Sequence, residues 1–144
     1  MNSQTLLHRQ VHPSFVRNDR VTSQAFLPTS QVFRPTPKDN SLLSVSDGDQ
    51  ISAEQAYLRF IRNPLCKSIG TLSVSEEECR FLGVNAIPDP DPPSEQPDHC
   101  FIDFREKSNR QIEKIATCLR NHAVDRDWTF GPTDIASNHP RRLG

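Results

Sequence analysis

Ser68-Ile69-Gly70-Thr71-Leu72-Ser73-Val74-Ser75-Glu76-Glu77-Glu78-Cys79-Arg80-Phe81-Leu82-Gly83 reads as a strand that runs straight into a helix. Residues 68–74 are rich in Ile, Thr, Leu and Val, which fit a pleated, half-buried surface. Ser75-Glu76-Glu77-Glu78 then matches the box S-x-x-[E/Q]. In that box the Ser side chain accepts from the backbone N–H three residues on, and the Glu reaches back to the Ser N–H. Three acids at the positive end of the helix dipole favour the start, and Gly83 supplies the stop.

The same box recurs at Ser52-Ala53-Glu54-Gln55 and at Ser108-Asn109-Arg110-Gln111. It predicts helices over residues 53–61 and 109–123. In the first, Ala53, Ala56, Tyr57, Phe60 and Ile61 make one apolar stripe, and Asn63-Pro64 ends it. In the second, Ile112, Ile115, Ala116, Leu119 and Ala123 do the same. Further strands are predicted over 6–11, 42–45 and 100–104, with 128–130 as an edge strand. Residues 15–16 and 21–27 are short extended pieces on either side of a turn at Asn18-Asp19-Arg20. Short strands mixed irregularly with helices give an α+β fold. The expected sheet is short, mixed or antiparallel, with about three helices.

A chain of 144 residues suits one domain. Its apolar fraction of 34% and its twelve prolines predict a modest core with long loops. Two such loops are expected over 28–40 and 86–97. The second holds Pro88, Pro90, Pro92, Pro93 and Pro97, which bar it from a helix or a central strand. The globular unit is read as 1–130, and 131–144 as a flexible, polar, uncapped tail.

No apolar run approaches a membrane span, and the first residues lack the pattern of a secretory signal. The reading is a cytoplasmic protein of a bacterial system, with Cys66, Cys79, Cys100 and Cys118 as thiols rather than disulfides. Charge falls in blocks. Residues 1–40 hold five Lys/Arg against two Asp, 41–106 five against twelve acids, and 107–144 seven against four. Nucleic-acid binding is not expected of a chain with pI ≈ 6.5 and no aromatic–basic motif.

Chemistry is sparsely signalled. No Cys pair has zinc spacing, and no H-E-x-x-H or phosphate-binding glycine loop occurs. His8 and His12 are four apart, about 13 Å along a strand at ~3.3 Å per residue, too far to share one ion. No metal or cofactor is therefore expected. Cationic and polar groups gather in the first third, where Arg and His are suited to hold a phosphate-bearing nucleotide. His8, Arg9 and Ser23 are the catalytic candidates, and His12, Arg17, Arg20 and Arg34 the binding ones. A strand-borne Arg or His followed by a strand-borne Ser over residues 6–26 is similar to small ADP-ribosyltransferase-like folds, including RES-type toxins. That resemblance implies an NAD-using enzyme; the glycine-rich RES signature is absent.

The leading expectation is a non-enzymatic accessory module that binds another protein. Its contact candidates are Asp89, Asp91 and Glu95 of the proline-rich loop and Glu76 and Glu77 of the second box, since proline lowers the entropy lost on docking. The alternatives are a small nucleotide- or NAD-using enzyme, and an immunity or antitoxin-type partner whose acidic centre covers a basic site.

Overall fold

The computed structural model describes residues 1–17 and 27–138. Ser23, Arg20 and the chain end at 139–144 lie outside the described residues, as does most of the extended piece expected over 21–27.

The fold is α+β, built on a five-stranded antiparallel sheet. The strands are β1 (Leu6–Gln10), β4 (Leu42–Asp47), β5 (Thr71–Ser75), β6 (Asn85–Pro88) and β7 (His99–Asp103), in the order β5-β1-β4-β7-β6. Two short pieces, β2 (Val16–Arg17) and β3 (Leu27–Pro28), pair with each other. The helices are α1 (Ala53–Ile61), α2 (Glu76–Phe81), α3 (Asn109–Arg126) and α4 (Pro132–Asn138).

All three Ser boxes start helices. Ser75 and Ser108 form the full reciprocal box, with Glu78 and Gln111 reaching back. Ser52 caps Gln55 N–H from one side only. Gly83, at φ +86°, takes the left-handed turn that ends α2.

Alternation along the strands decides the layers, because successive side chains point to opposite faces. One face carries Leu7, Leu43, Val45, Leu72, Val74, Cys100 and Ile102, all buried. It packs beneath Ile112, Ile115, Ala116, Leu119 and Ala123 of α3. The opposite face carries His8, Gln10, Ser44, Ser46, Thr71, Ser73, His99 and Phe101. That polar face is crossed by α1, where Tyr57 stacks on Phe130 at 5.2 Å between ring centroids.

Several expectations need correction. Residues 28–40 contain two 3-10 turns, and the turn Ser30–Phe33 inserts Val32 and Phe33 fully into the core. Residues 85–88 form β6 rather than the start of a loop; as an edge strand β6 tolerates Pro88 at its end. Residues 128–130 make one isolated bridge, Thr71 to Phe130, instead of a strand. Pro132–Asn138 is a helix where a tail was expected, with the Asp134 carboxylate accepting from Gly131 N–H. In α1 the predicted stripe is only half buried. Ala56 and Tyr57 face inward, but Phe60 and Ile61 are 37% and 36% exposed, as α1 covers a face that is mostly polar. Among the described residues no helix is long and apolar enough to cross a membrane.

Candidate functional site

The ladder between β1 and β4 pairs Leu7 with Asp47 and His8 with Ser46, and there it ends. Beyond that point the two strands part. The Arg9 guanidinium bridges the gap, donating Nη1–H to the Ser44 carbonyl at 2.9 Å and Nε–H to the Val32 carbonyl at 3.0 Å. Its neighbour His8 points to the other face. The split opens a cleft of about 480 Å³ on the polar side, roofed by the C-terminal half of α1 and the turn after it.

The cleft floor is Gln10, Ser44 and Ser46, and its walls are Arg59, Arg62, Asn63 and Cys66 on one side and Glu95, Gln96 and His99 on the other. Most of these groups already have partners. Arg59 grips Asp98 with both terminal nitrogens at 2.7 Å. His99 Nδ1 lies 2.7 Å from Asp89 Oδ2, and its ring meets Phe101 edge-on at 4.9 Å. The Asp91 N–H and then His99 hold the Asp89 carboxyl below its ordinary range. The hydroxyl of Ser68 donates to Gln10 Oε1 at 2.8 Å, and Gln10 Nε2 donates to Thr71 Oγ1 at 2.9 Å.

His8 is 6% exposed, at the inner edge of the cleft. Its Nδ1 meets Ser73 Oγ at 2.7 Å, Ser73 Oγ meets Thr129 Oγ1 at 2.8 Å, and the ring also bonds the Ile51 backbone. Burial pushes its pKa down, against the smaller raising effects of that backbone bond and of Asp47 and Asp98.

The remaining sequence candidates are scattered. His12 caps the turn Pro13–Phe15 by accepting from Ser14 N–H, and packs on Phe15. Arg34 is exposed, 3.9 Å from Glu113 of α3. Arg9 and His8 start on opposite sheet faces, yet both line the cleft, Arg9 through the gap where β1 and β4 part.

Strand register brings the acidic candidates to one end of the sheet. Ser75 lies beside Leu6, Leu7 beside Asp47, Ser46 beside His99 and Cys100 beside Pro88, so Glu76, Glu77, Asp89 and Asp91 extend from the same edge. There Glu76 is 3.6 Å from Arg80, while Glu77, Asp91 and Glu95 are exposed.

Sequence reasoning missed Ser44, Ser46, Arg59, Arg62 and Gln96 as groups sharing one cavity. A signal was present. Leu43-Ser44-Val45-Ser46 alternates apolar with polar residues, which marks a strand with a polar second face.

Among the described residues no group of three or more His, Cys, Asp or Glu could hold a metal ion. Compared with known proteins, the chain matches no family model, no curated protein and no solved structure.

Proposed function

We propose that this chain is a non-enzymatic protein-binding module of the cytoplasm, and that its partner docks on the outer edge of α1 and the turn that follows. One observation carries the reading. Of the six exposed large apolar side chains among the described residues, four fall within residues 58–65: Leu58, Ile61 and Leu65, and Phe60, which also lines the cleft. Leu65, in the turn after α1, is 89% exposed, and Leu58 and Ile61 stand one turn apart on the helix. Apolar side chains gathered in this way are a feature of interaction surfaces.

Charge defines the partner. Residues 58–67 hold Arg59, Arg62 and Lys67 and no acid. Arg59 is neutralised by Asp98, leaving Arg62 and Lys67 beside the apolar groups. A protein segment with acids around an apolar core complements this edge. The four cysteines are free thiols, which fits a reducing compartment.

The nucleotide-enzyme alternative draws less support, since His8, Arg9 and His99, though all line the cleft, are held by internal partners. A second reading, an immunity-type protein covering a basic site, is favoured by the acids at one sheet end.

The test is proximity crosslinking in the native host with three forms: wild type, Leu58→Glu/Leu65→Glu, and Phe81→Glu. Phe81 is 87% exposed on α2 and serves as the control. All three should melt alike. The expected result is a crosslinked protein present with wild type and Phe81→Glu and lost with the double variant. Identical products from all three would refute the docking edge, and catalytic turnover by the purified chain would refute the non-enzymatic reading.

A further inference from the structure

The geometry points to a second site, which borders the docking edge and shares Arg62 with it: we propose that the cleft under α1 binds a small anion, through a phosphate or carboxylate group. Its volume of about 480 Å³ falls within the usual range for small-molecule sites. It exists because β1 and β4 stop pairing after His8 and Ser46, which leaves the polar sides of both strands facing an open space.

The sign of the ligand follows from where the charges stand. Arg9, Arg59 and Arg62 line the cleft together with His8 and His99, and Glu95 is the single carboxylate among its lining residues. The acids that partner Arg59 and His99, namely Asp98 and Asp89, are outside the lining. They fix the orientation of the Arg59 guanidinium and the His99 ring, as outer carboxylates do for imidazoles at binding sites. Asp98 consumes the charge of Arg59. Arg62, by contrast, has no ion-pair partner among the described residues. Arg9 already donates Nε–H and Nη1–H to the Val32 and Ser44 carbonyls, so Arg62 is the cation available to a ligand, and a guanidinium matches phosphate and carboxylate oxygens with paired N–H donors.

His99 supplies the second contact. With Nδ1 engaged by Asp89, its other nitrogen, Nε2, is the one left for a ligand. With Nδ1–H donated to Asp89, Nε2 can accept from a hydroxyl of the ligand. Ser44 and the Gln96 amide add neutral donors on the same cavity. The site is therefore polar, with one free guanidinium, one carboxylate-oriented imidazole and uncharged hydrogen-bonding groups between them.

The test is a titration of the full chain, followed by backbone amide NMR, with inorganic phosphate, adenosine monophosphate and citrate as separate probes. The expected result is saturable shifts at Ser44, Arg62 and Gln96 with at least one probe. Arg62→Gln should weaken that binding by about tenfold or more. Arg110→Gln, on exposed α3 surface, should leave it unchanged. Tighter binding of the nucleotide marks a phosphate ester as the ligand class, and tighter binding of citrate a carboxylate. The absence of saturable shifts with any probe up to about 10 mM overturns the proposal. So does binding that Arg62→Gln and Arg110→Gln affect equally.

Discussion

Arg59 and Asp98 are joined by two parallel hydrogen bonds, Nη1 to Oδ1 and Nη2 to Oδ2, each 2.7 Å long. The pair ties α1 to the residue that precedes β7. Asp98 is 3% exposed, and its carbonyl accepts from Asp47 N–H at 2.9 Å, so the anchor reaches the centre of the sheet. The roof of the cleft is thus fastened to its floor strands by one ion pair, and Arg59 Nη1 also reaches the Glu95 carbonyl.

Asp98→Asn should destabilise the fold by about 2–4 kcal/mol, since it leaves a partly buried guanidinium without its charge partner. The Arg59 hydrogen bond holds the Asp98 carboxyl below its ordinary value, against the opposing effect of burial. A depressed carboxyl contributes stability above its unfolded pKa, about 3.9, and loses it as pH falls through the folded value. Urea unfolding should therefore show the gap between wild type and variant narrowing below about pH 4. A gap constant from neutral to strongly acid solution would contradict this account.

His8 predicts a second pH window. Burial lowers its pKa, so below about 6.5 the unfolded chain takes a proton that the folded ring refuses. Its contribution is present above that value and lost as pH falls toward the folded one. His8→Gln should flatten the stability change between about pH 7 and pH 5. Ser73→Ala, which strips the partner from Nδ1, should cost about 1–3 kcal/mol at neutral pH.

Gly48 sits where the β4–α1 connection presses on β1. Its N–H donates to the Leu6 carbonyl at 2.7 Å, and a Cβ there would stand 2.5 Å from that same oxygen and 3.0 Å from His8 Nε2. Backbone cannot yield as a flexible side chain does. Gly48→Ala should cost about 1–3 kcal/mol in denaturant unfolding, the usual range for overpacking. A neutral result would mean that the connection has room to shift.

The helix starts rank themselves. Ser75→Ala and Ser108→Ala should each cost about 1 kcal/mol. Gln111→Ala should also be measurable, because Gln111 Oε1 accepts from Ser108 N–H at 2.9 Å. Gln55→Ala should be near neutral, as α1 lacks the reciprocal bond. Equal losses at Gln55 and Gln111 would refute the distinction.

The sequence by itself determined the parts that depend on neighbours along the chain. Capping Ser, an apolar spacing of three and four, and a terminal Gly are local signals, and they located α1, α2 and the start of α3. Alternating Val, Leu and Ile did the same for β1, β4, β5 and β7. Tertiary structure alone decided what those parts enclose. The partner of Arg59 is 39 residues away and that of His8 is 65 away, separations that local patterns cannot encode. Whether Phe60 and Ile61 are buried depended on the chemistry of the face that α1 meets. The cleft itself arises where two strands cease to pair, and no residue on its own specifies that point. Long-range register set it, through side chains such as Arg9 that replace the ladder bonds the parting strands give up.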